Sequence, residues 1–270
     1  MHAVASYDYQ TLQVVVSADI VTVTLNRPHK KNAMSFKVIK ELIAVAGHIS
    51  QDNTLRAVIL NGAKGTFCAG IDLGDLNNPA NQAYALWELV KPWQSSFQQV
   101  CLVWRELPIP VIAVLEGHCI GAGMQLALAC DIRISHPDCQ LSIMEAKWGL
   151  VPDMGLTQSA LGIVPADVLK ELAMTARMLN GEQACALGLV SHCHETPLIQ
   201  AQELAAELAQ RSPDAVLASK RIVNAMYQQS ALTLYKEKLW QMKLMLGRNR
   251  KLALKKAKIA TTEFGRRQFR

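Results

Sequence analysis

Glu145 stands eight residues before Asp153, with Gly149 and Pro152 between them. A turn in that interval would bring two carboxylates to one cavity. Paired carboxyls whose surroundings separate their pKa values can act as base and acid within one proton-transfer cycle. The plainer reading makes Asp153 the N-cap of a helix starting at Met154, and Glu145 a surface acid paired with Lys147. A second constellation, Gly117-His118-Cys119-Ile120-Gly121-Ala122-Gly123-Met124-Gln125, follows an apolar strand and opens a helix. Unpaired N–H groups at a helix start, at the positive end of its dipole, stabilise an anion. The competing reading is close helix–sheet packing through small residues. A dinucleotide-binding loop is rejected, because the third glycine would fall at Leu126 and the motif sits mid-chain. The third constellation is Phe67-Cys68-Ala69-Gly70-Ile71-Asp72-Leu73. Here a buried strand enters a Gly-containing turn that either aims backbone N–H groups outward or simply makes a loop.

Other candidates carry less chemistry. His192-Cys193-His194 would suit a metal only if further ligands arrived in space, so no metal is expected. There is no H-E-x-x-H, no P-loop and no G-x-S-x-G. Cys68 has no identifiable basic partner and reads as a buried thiol rather than a nucleophile.

The elements that must position these residues alternate. Leu12–Val16 and Ile20–Leu25, separated by Ser17-Ala18-Asp19, read as a hairpin. Ser35 caps a helix to about Ser50, with Phe36, Ile39, Ile43 and Ala46 inward. Strands are expected at Arg56–Asn61, Val111–Leu115, Asp131–Ser135 and Cys139–Ile143, and a small-residue helix at Gly121–Cys130. The polar stretch Asp75–Ala83 reads as a loop, followed by one helix to about Leu107 that Pro108 and Pro110 stop. This alternation argues for an α/β layered fold. After Glu195 the pattern turns helical: Ile199–Gln210, Pro213–Gln229, Ala231–Gly247 and Lys251–Thr262. The expected division is a core over residues 1–196 and an all-helical part over 197–270, the latter a packing and oligomer-contact region.

Composition narrows the class. The 270 residues are half hydrophobic and 19% charged, enough for a sizeable core and too apolar for disorder. No apolar run reaches the roughly 18 residues of a membrane helix, and the start lacks the pattern of a signal peptide. Seven cysteines, an odd number without C-x-x-C, suit a reducing compartment. Together these lead to the expectation of a soluble, cytoplasmic protein without a membrane partner. From Arg248 to Arg270 nine Lys/Arg face one acid, Glu263, a net of +8, so the rest of the chain carries −2 of the total +6. A solvated helix face is the first reading of that end, binding of a multiply phosphorylated small molecule the second. Nucleic acid comes third, since the main body is slightly acidic and shows no nucleic-acid module.

Taken in order, these pieces resemble the crotonase superfamily of enoyl-CoA hydratases and isomerases. The similar features are Asn26-Arg27-Pro28 with Asn32-Ala33, then Phe67–Asp72, Glu116–Gly123 and Cys130-Asp131-Ile132-Arg133. Gly188-Leu189-Val190 and Phe264-Gly265-Arg266-Arg267 complete the match. The resemblance implies a spiral of ββα units with a helical C-terminal part that builds homotrimers, often paired into hexamers. It also implies an acyl-CoA substrate whose thioester oxygen is held by the backbone N–H groups of Ile71 and Ala122.

On the family pattern the two glutamates of typical hydratases fall on Gln125 and Glu145, and Gln125 cannot exchange a proton, although it can position water or substrate. Asp153 falls where dienoyl-CoA isomerases of the family keep their second acid; those relatives carry Asp at position 125. Glu145 and Asp153 are therefore the expected catalytic pair, and double-bond isomerisation of an enoyl- or dienoyl-CoA is the favoured reaction. Hydration of 2-enoyl-CoA, with Gln125 placing the water, is the alternative, and a non-catalytic acyl-CoA or RNA-binding relative is the second. Coenzyme A would contact Arg27, Lys30, Lys31, Ala69, Gly70 and Asp72, with Phe264 and Arg267 of a neighbouring subunit closing over it. The acyl chain would lie against the Asn77–Val100 segment and Trp148. No metal or redox cofactor is implied; coenzyme A arrives with the substrate.

Overall fold

The computed structural model describes residues 8–211, 213–225, 235, 238–239, 241–242 and 245–262. β1 (Leu12–Ser17) and β2 (Ile20–Leu25) form the expected hairpin, Leu12 opposite Leu25 and Ser17 opposite Ile20. Alternation along β2 buries Val21, Val23 and Leu25 and leaves the residues between them half-covered. β3 (Ala57–Gly62), β4 (Val111–Leu115), β6 (Ile132–Ser135) and β8 (His192–Cys193) continue the sheet in parallel, in the order β1-β2-β3-β4-β6-β8. β3 and β4 are apolar on both faces because both faces are covered.

One face carries α1 (Phe36–Gln51), capped as expected by Ser35, whose side chain accepts the Val38 N–H. Leu42 and Val45 are buried on α1, and Ile43 is only half-buried. A second, two-stranded parallel sheet pairs β5 (His118–Ile120) with β7 (Gln140–Ser142). Single bridges extend it on both sides, Cys68 to Cys119 and Leu141 to Leu179. Successive passes of the chain thus add one strand to the large sheet and one segment to the small one, which is the spiral of ββα units. Five of the seven cysteines, Cys68, Cys101, Cys119, Cys130 and Cys139, lie buried in this core as free thiols.

The single long helix expected between Ala83 and Leu107 is broken into two, and the Asp75–Ala83 stretch read as a loop already holds the end of a short helix and the start of the next. α2 (Leu73–Leu76) is capped by Asp72, α3 (Pro79–Val90) by Asn78, and α4 (Ser96–Glu106) by a Ser95–Gln98 capping box. Pro92 and the capping signal at Ser95 break what periodicity alone reads as continuous. α5 (Ala122–Ala129) is wholly buried. The 3₁₀ turn Glu145–Trp148 precedes the short α6 (Leu156–Ser159), α7 (Ala166–Thr175) and α8 (Gly181–Ala186).

The helical region opens with α9 (Pro197–Ala209), which packs on the sheet. Its Ala201 and Ala205 cover Ala57, Ile59, Ile112, Val114 and Ile134 on the face opposite α1. α10 (Pro213–Ala225) and α11 (Arg248–Lys256) follow. Much of the expected Ala231–Gly247 helix, and the Phe264–Arg267 motif, lie outside the described residues. α10 is tied to the core by Lys220, whose largely buried ammonium meets Asp131 Oδ2 at 2.7 Å and the Ile109 carbonyl at 3.0 Å. Asp131 Oδ2 also accepts the Val111 N–H at 2.8 Å. Replacing Lys220 by Met removes the cation and leaves a carboxylate and a carbonyl short of a donor. The expected loss of unfolding free energy in urea is roughly 3 kcal/mol. A variant as stable as the parent would show that the pair contributes nothing.

Candidate active site

Glu145 is placed by β7 and the turn that leaves it. Its carboxylate Oε1 accepts from the Gln125 side-chain amide at 2.7 Å, and its Oε2 is buried with no hydrogen-bond partner among the described residues. Burial pushes the Glu145 carboxyl above its ordinary range; its own backbone N–H and the Gln125 amide pull it down without cancelling the burial. A proton is therefore held more tightly here than on a surface glutamate.

Gln125 is held at both ends. While its amide nitrogen donates to Glu145, its Oε1 accepts the Met154 N–H at 2.9 Å. It brackets the two stretches that carry the two candidate acids, since Met154 follows Asp153 directly. Asp153 itself is half-buried. The helix-cap reading of Asp153 does not hold: the next helix, α6, begins at Leu156, and its N-cap is Gly155 in the left-handed conformation. Glu145 paired with Lys147 is likewise not found; the carboxylate turns inward to Gln125.

Among the described residues, neither of the two backbone donors expected to hold an oxyanion is engaged. Met34 N–H donates to Gly70 O at 2.8 Å and Asp72 N–H to Met34 O at 2.8 Å, so the N–H of Ile71 points away from Met34. Ala122 is the first residue of α5, where no carbonyl one turn earlier is available. Among the described residues neither N–H has an acceptor. Gly121, with φ 53° and ψ −116°, makes the strand-to-helix turn in a conformation that a side chain would strain. A Cβ built on it would also stand 3.6 Å from Glu145 Oε1, so the helix start and the carboxylate share one space. Gly123 sets the approach of the two donor segments: a Cβ there would meet the Cys68 carbonyl oxygen at 2.6 Å. The small-residue packing reading and the anion-site reading of this motif thus describe the same geometry.

Of the expected coenzyme contacts, Arg27 and Asp72 meet each other. The guanidinium donates to Asp72 at 2.9 Å and to the Ala33 carbonyl at 2.6 Å. Burial would raise the Asp72 carboxyl, but hydrogen bonds from Arg27 and the Asp75 N–H, with the charges of Arg27 and Lys30, hold it below its usual range. This pair clamps the Asn26–Ala33 loop to the turn that presents Ile71. The Lys31 carbonyl accepts the Ala69 N–H at 3.0 Å, which seats exposed Lys30 and Lys31 beside Ala69 and Gly70. Trp148 is half-buried on the Glu145 turn. Phe264 and Arg267 lie outside the described residues. The bracketing by Gln125 was not legible from its residue type, though its place one turn into α5 was the available signal. No group of three or more His, Cys, Asp or Glu among the described residues could hold a metal, and His192 and His194 do not form one.

Two backbone N–H groups without an acceptor among the described residues, one of them at a helix start next to the space of a buried carboxyl, are chemically able to hold an anion near a proton-transfer group. A model of the enoyl-CoA hydratase/isomerase family matches residues 16–255, and the chain belongs to that family. It is an enzyme of the enoyl-CoA hydratase/isomerase kind. The mouse protein named Delta(3,5)-Delta(2,4)-dienoyl-CoA isomerase, mitochondrial, is 34% identical over 238 residues, covering 83% of this chain and 71% of its own. The mouse methylglutaconyl-CoA hydratase, mitochondrial, is 32% identical over 212 residues, 76% of this chain and 66% of its own. A crystal structure of an enoyl-CoA hydratase/isomerase from Pseudoalteromonas atlantica superposes with a TM-score of 0.82 at 22% identity, over 95% of this chain and all of that one. The expectation of a cytoplasmic protein is overturned: these curated relatives are mitochondrial enzymes. No described helix is long and apolar enough to cross a membrane.

Proposed function

We propose that the enzyme isomerises the double bonds of an enoyl- or dienoyl-CoA, with Glu145 and Asp153 as its two proton-transfer groups. The observation that carries this reading is Gln125, locked between Glu145 and Met154. It removes position 125 from acid–base work and leaves Asp153 as the second carboxyl on the same bracket. The thioester oxygen is held by the N–H groups of Ile71 and Ala122. One carboxylate removes a proton from the carbon next to the thioester. The electron pair flows onto that oxygen and along the conjugated chain, and the other carboxyl delivers a proton to the far carbon. No atom is gained or lost overall, so the step asks for no redox group, and coenzyme A enters only as part of the substrate. The raised affinity of Glu145 for its proton suits it to the delivering role, with Asp153 as base.

Lys30, Lys31, Ala69 and Gly70 are assigned to the coenzyme, with Arg27 and Asp72 shaping their loop, and Phe264 and Arg267 keep the role the family resemblance gives them. The acyl chain is assigned to the 77–100 segment and Trp148. A homotrimer or dimer of trimers, built through the helical part over 197–270, belongs to the same proposal. Its support is the apolar surface that the single chain leaves open on that part at Ile199 and Leu246.

Hydration is the second reading, favoured by the likeness to a methylglutaconyl-CoA hydratase. The two readings part at two substitutions. Asp153→Asn is expected to cut isomerase turnover by about 10²-fold, the usual size of a lost acid–base group, with acyl-CoA affinity unchanged. Gln125→Glu puts a second carboxyl against Glu145, where the two must share a proton. It is expected to raise hydration of 2-enoyl-CoA above the parent level. Full isomerase activity in well-folded Asp153→Asn would contradict the assignment, as would a Gln125→Glu enzyme that hydrates no faster than the parent.

A further inference from the structure

α3 reverses the usual pattern of a surface helix. Trp87 is 52% exposed, as is Trp93 just beyond the helix at 59%, while Glu88 is only 3% exposed. The Glu88 carboxylate accepts from Lys91 Nζ at 2.8 Å and from the backbone N–H of Ser96, the first residue of α4. It therefore joins the end of α3 to the positive end of α4. From the other side comes Lys238, 1% exposed, whose ammonium donates to the Lys91 carbonyl and to the Trp93 carbonyl, the latter at 2.7 Å. Burial and the nearby Lys91 charge push the Lys238 ammonium below its usual range, and Glu88 opposes them. A cation is costly to bury, and this one is directed at two carbonyls of a single interhelical turn.

That turn is mechanically linked to the acid segment. α4 carries the turn at its start down to Leu102, and the Gly155 turn packs so closely on Leu102 that a Cβ built on Gly155 would stand 2.9 Å away. Gly155 lies two residues after Asp153. Three residues beyond Lys238, Gln241 accepts the Val151 N–H at 3.3 Å, two residues before Asp153. Lys238 and Gln241 thus grip both the α3–α4 turn and the approach to Asp153.

We propose that Lys238 is a positioning residue that fixes the α3–α4 turn as a wall of the acyl pocket and so sets the preference for acyl-chain length. The proposal rests on the acyl-CoA reading of the site. Lys238 touches no reacting atom, so its effect belongs to chain selection and not to proton transfer.

Calorimetric titration with saturated, unreactive thioesters tests this without requiring turnover. Butanoyl-CoA and dodecanoyl-CoA would be titrated into the parent and into Lys238→Met, Lys238→Arg and Glu88→Gln. The ratio of the two affinities is expected to shift by about fivefold or more in Lys238→Met, a size usual for residues acting from a distance, while butanoyl-CoA affinity holds within about twofold. Lys238→Arg keeps a cation and its donors and should return the ratio towards the parent value. Glu88→Gln loosens the same turn from the opposite side. It should shift the ratio in the same direction, which decides the matter if Lys238→Met does not fold. An unchanged ratio in the folded variants overturns the proposal. Equal weakening of both thioesters also overturns it, since that is the mark of a general structural staple. A parent protein that binds neither thioester overturns the acyl-CoA reading instead.

Discussion

Replacing Glu145 by Gln lowers turnover by at least about 10²-fold and leaves acyl-CoA affinity nearly unchanged. The amide is close to isosteric, and its oxygen can still accept from Gln125, so the bracket to Met154 survives. What is lost is the exchangeable proton of the buried carboxyl. The same substitution should stabilise the fold at neutral pH. Because burial raises the folded-state pKa of Glu145, the native protein binds more protons than the unfolded chain between the ordinary value of 4.5 and the raised one. Stability attributable to this group therefore falls as pH rises through that window. Glu145→Gln has no such group, so its advantage over the parent is absent well below 4.5 and grows up to the raised value. Urea unfolding across pH, beside steady-state kinetics, reads both effects. Near-parent turnover on every active substrate would remove Glu145 from the mechanism. A stability difference independent of pH would remove the burial argument.

The second large effect is expected at Gly123. A Cβ there would meet the Cys68 carbonyl oxygen at 2.6 Å and the Cys68 Cβ at 2.7 Å, both closer than real contacts allow. Neither obstacle is the far end of a flexible side chain, so Gly123→Ala must push the start of α5 away from the Cys68–Ile71 turn. The two proposed oxyanion donors, the N–H groups of Ile71 and Ala122, sit on those two segments. Loss of one such donor typically costs about 10²–10³-fold in turnover. Overpacking of this kind typically costs about 1–3 kcal/mol of stability. Gly47→Ala is the matched control: it lies within α1, and an added Cβ would meet nothing within 4 Å. That change is expected to leave kinetics alone and to stabilise the protein by about 0.5–1 kcal/mol through helix propensity. A fully active Gly123→Ala enzyme would show that the spacing of the two segments is not what holds the oxyanion.

Elements with strong local signals were legible from the chain itself. The β1–β2 hairpin, the Ser35 cap and the β4 strand follow from periodicity and turn chemistry, because each is decided within a few residues. The break between α3 and α4 was not, because both halves share an amphipathic pattern. The deciding features are Pro92, the Ser95–Gln98 box and a buried Glu88 whose partners are fixed only in three dimensions. Asp153 shows the same limit. An acid before a short helix reads as a cap, yet a left-handed Gly155 starts that helix. Gln125 reads from its chemistry as a residue that positions water or substrate. Its bracketing of Glu145 and Met154 depends on β7 bringing Glu145 beside α5, a contact twenty residues apart that no local pattern announces.

The central claim, that Glu145 and Asp153 shift a proton along a conjugated acyl chain, is tested most directly by ultraviolet assay of the unmodified enzyme. Turnover of 3,5-dienoyl-CoA would be compared with hydration of 2-enoyl-CoA at matched concentrations. Isomerisation brings the diene into conjugation with the thioester and raises absorbance, whereas hydration removes conjugation and lowers it. A rapid rise is expected with the dienoyl substrate, and a hydration rate well below it. Fast loss of conjugation from 2-enoyl-CoA, with no isomerisation of any dienoyl substrate, would contradict it and leave Gln125 as a sufficient guide for water.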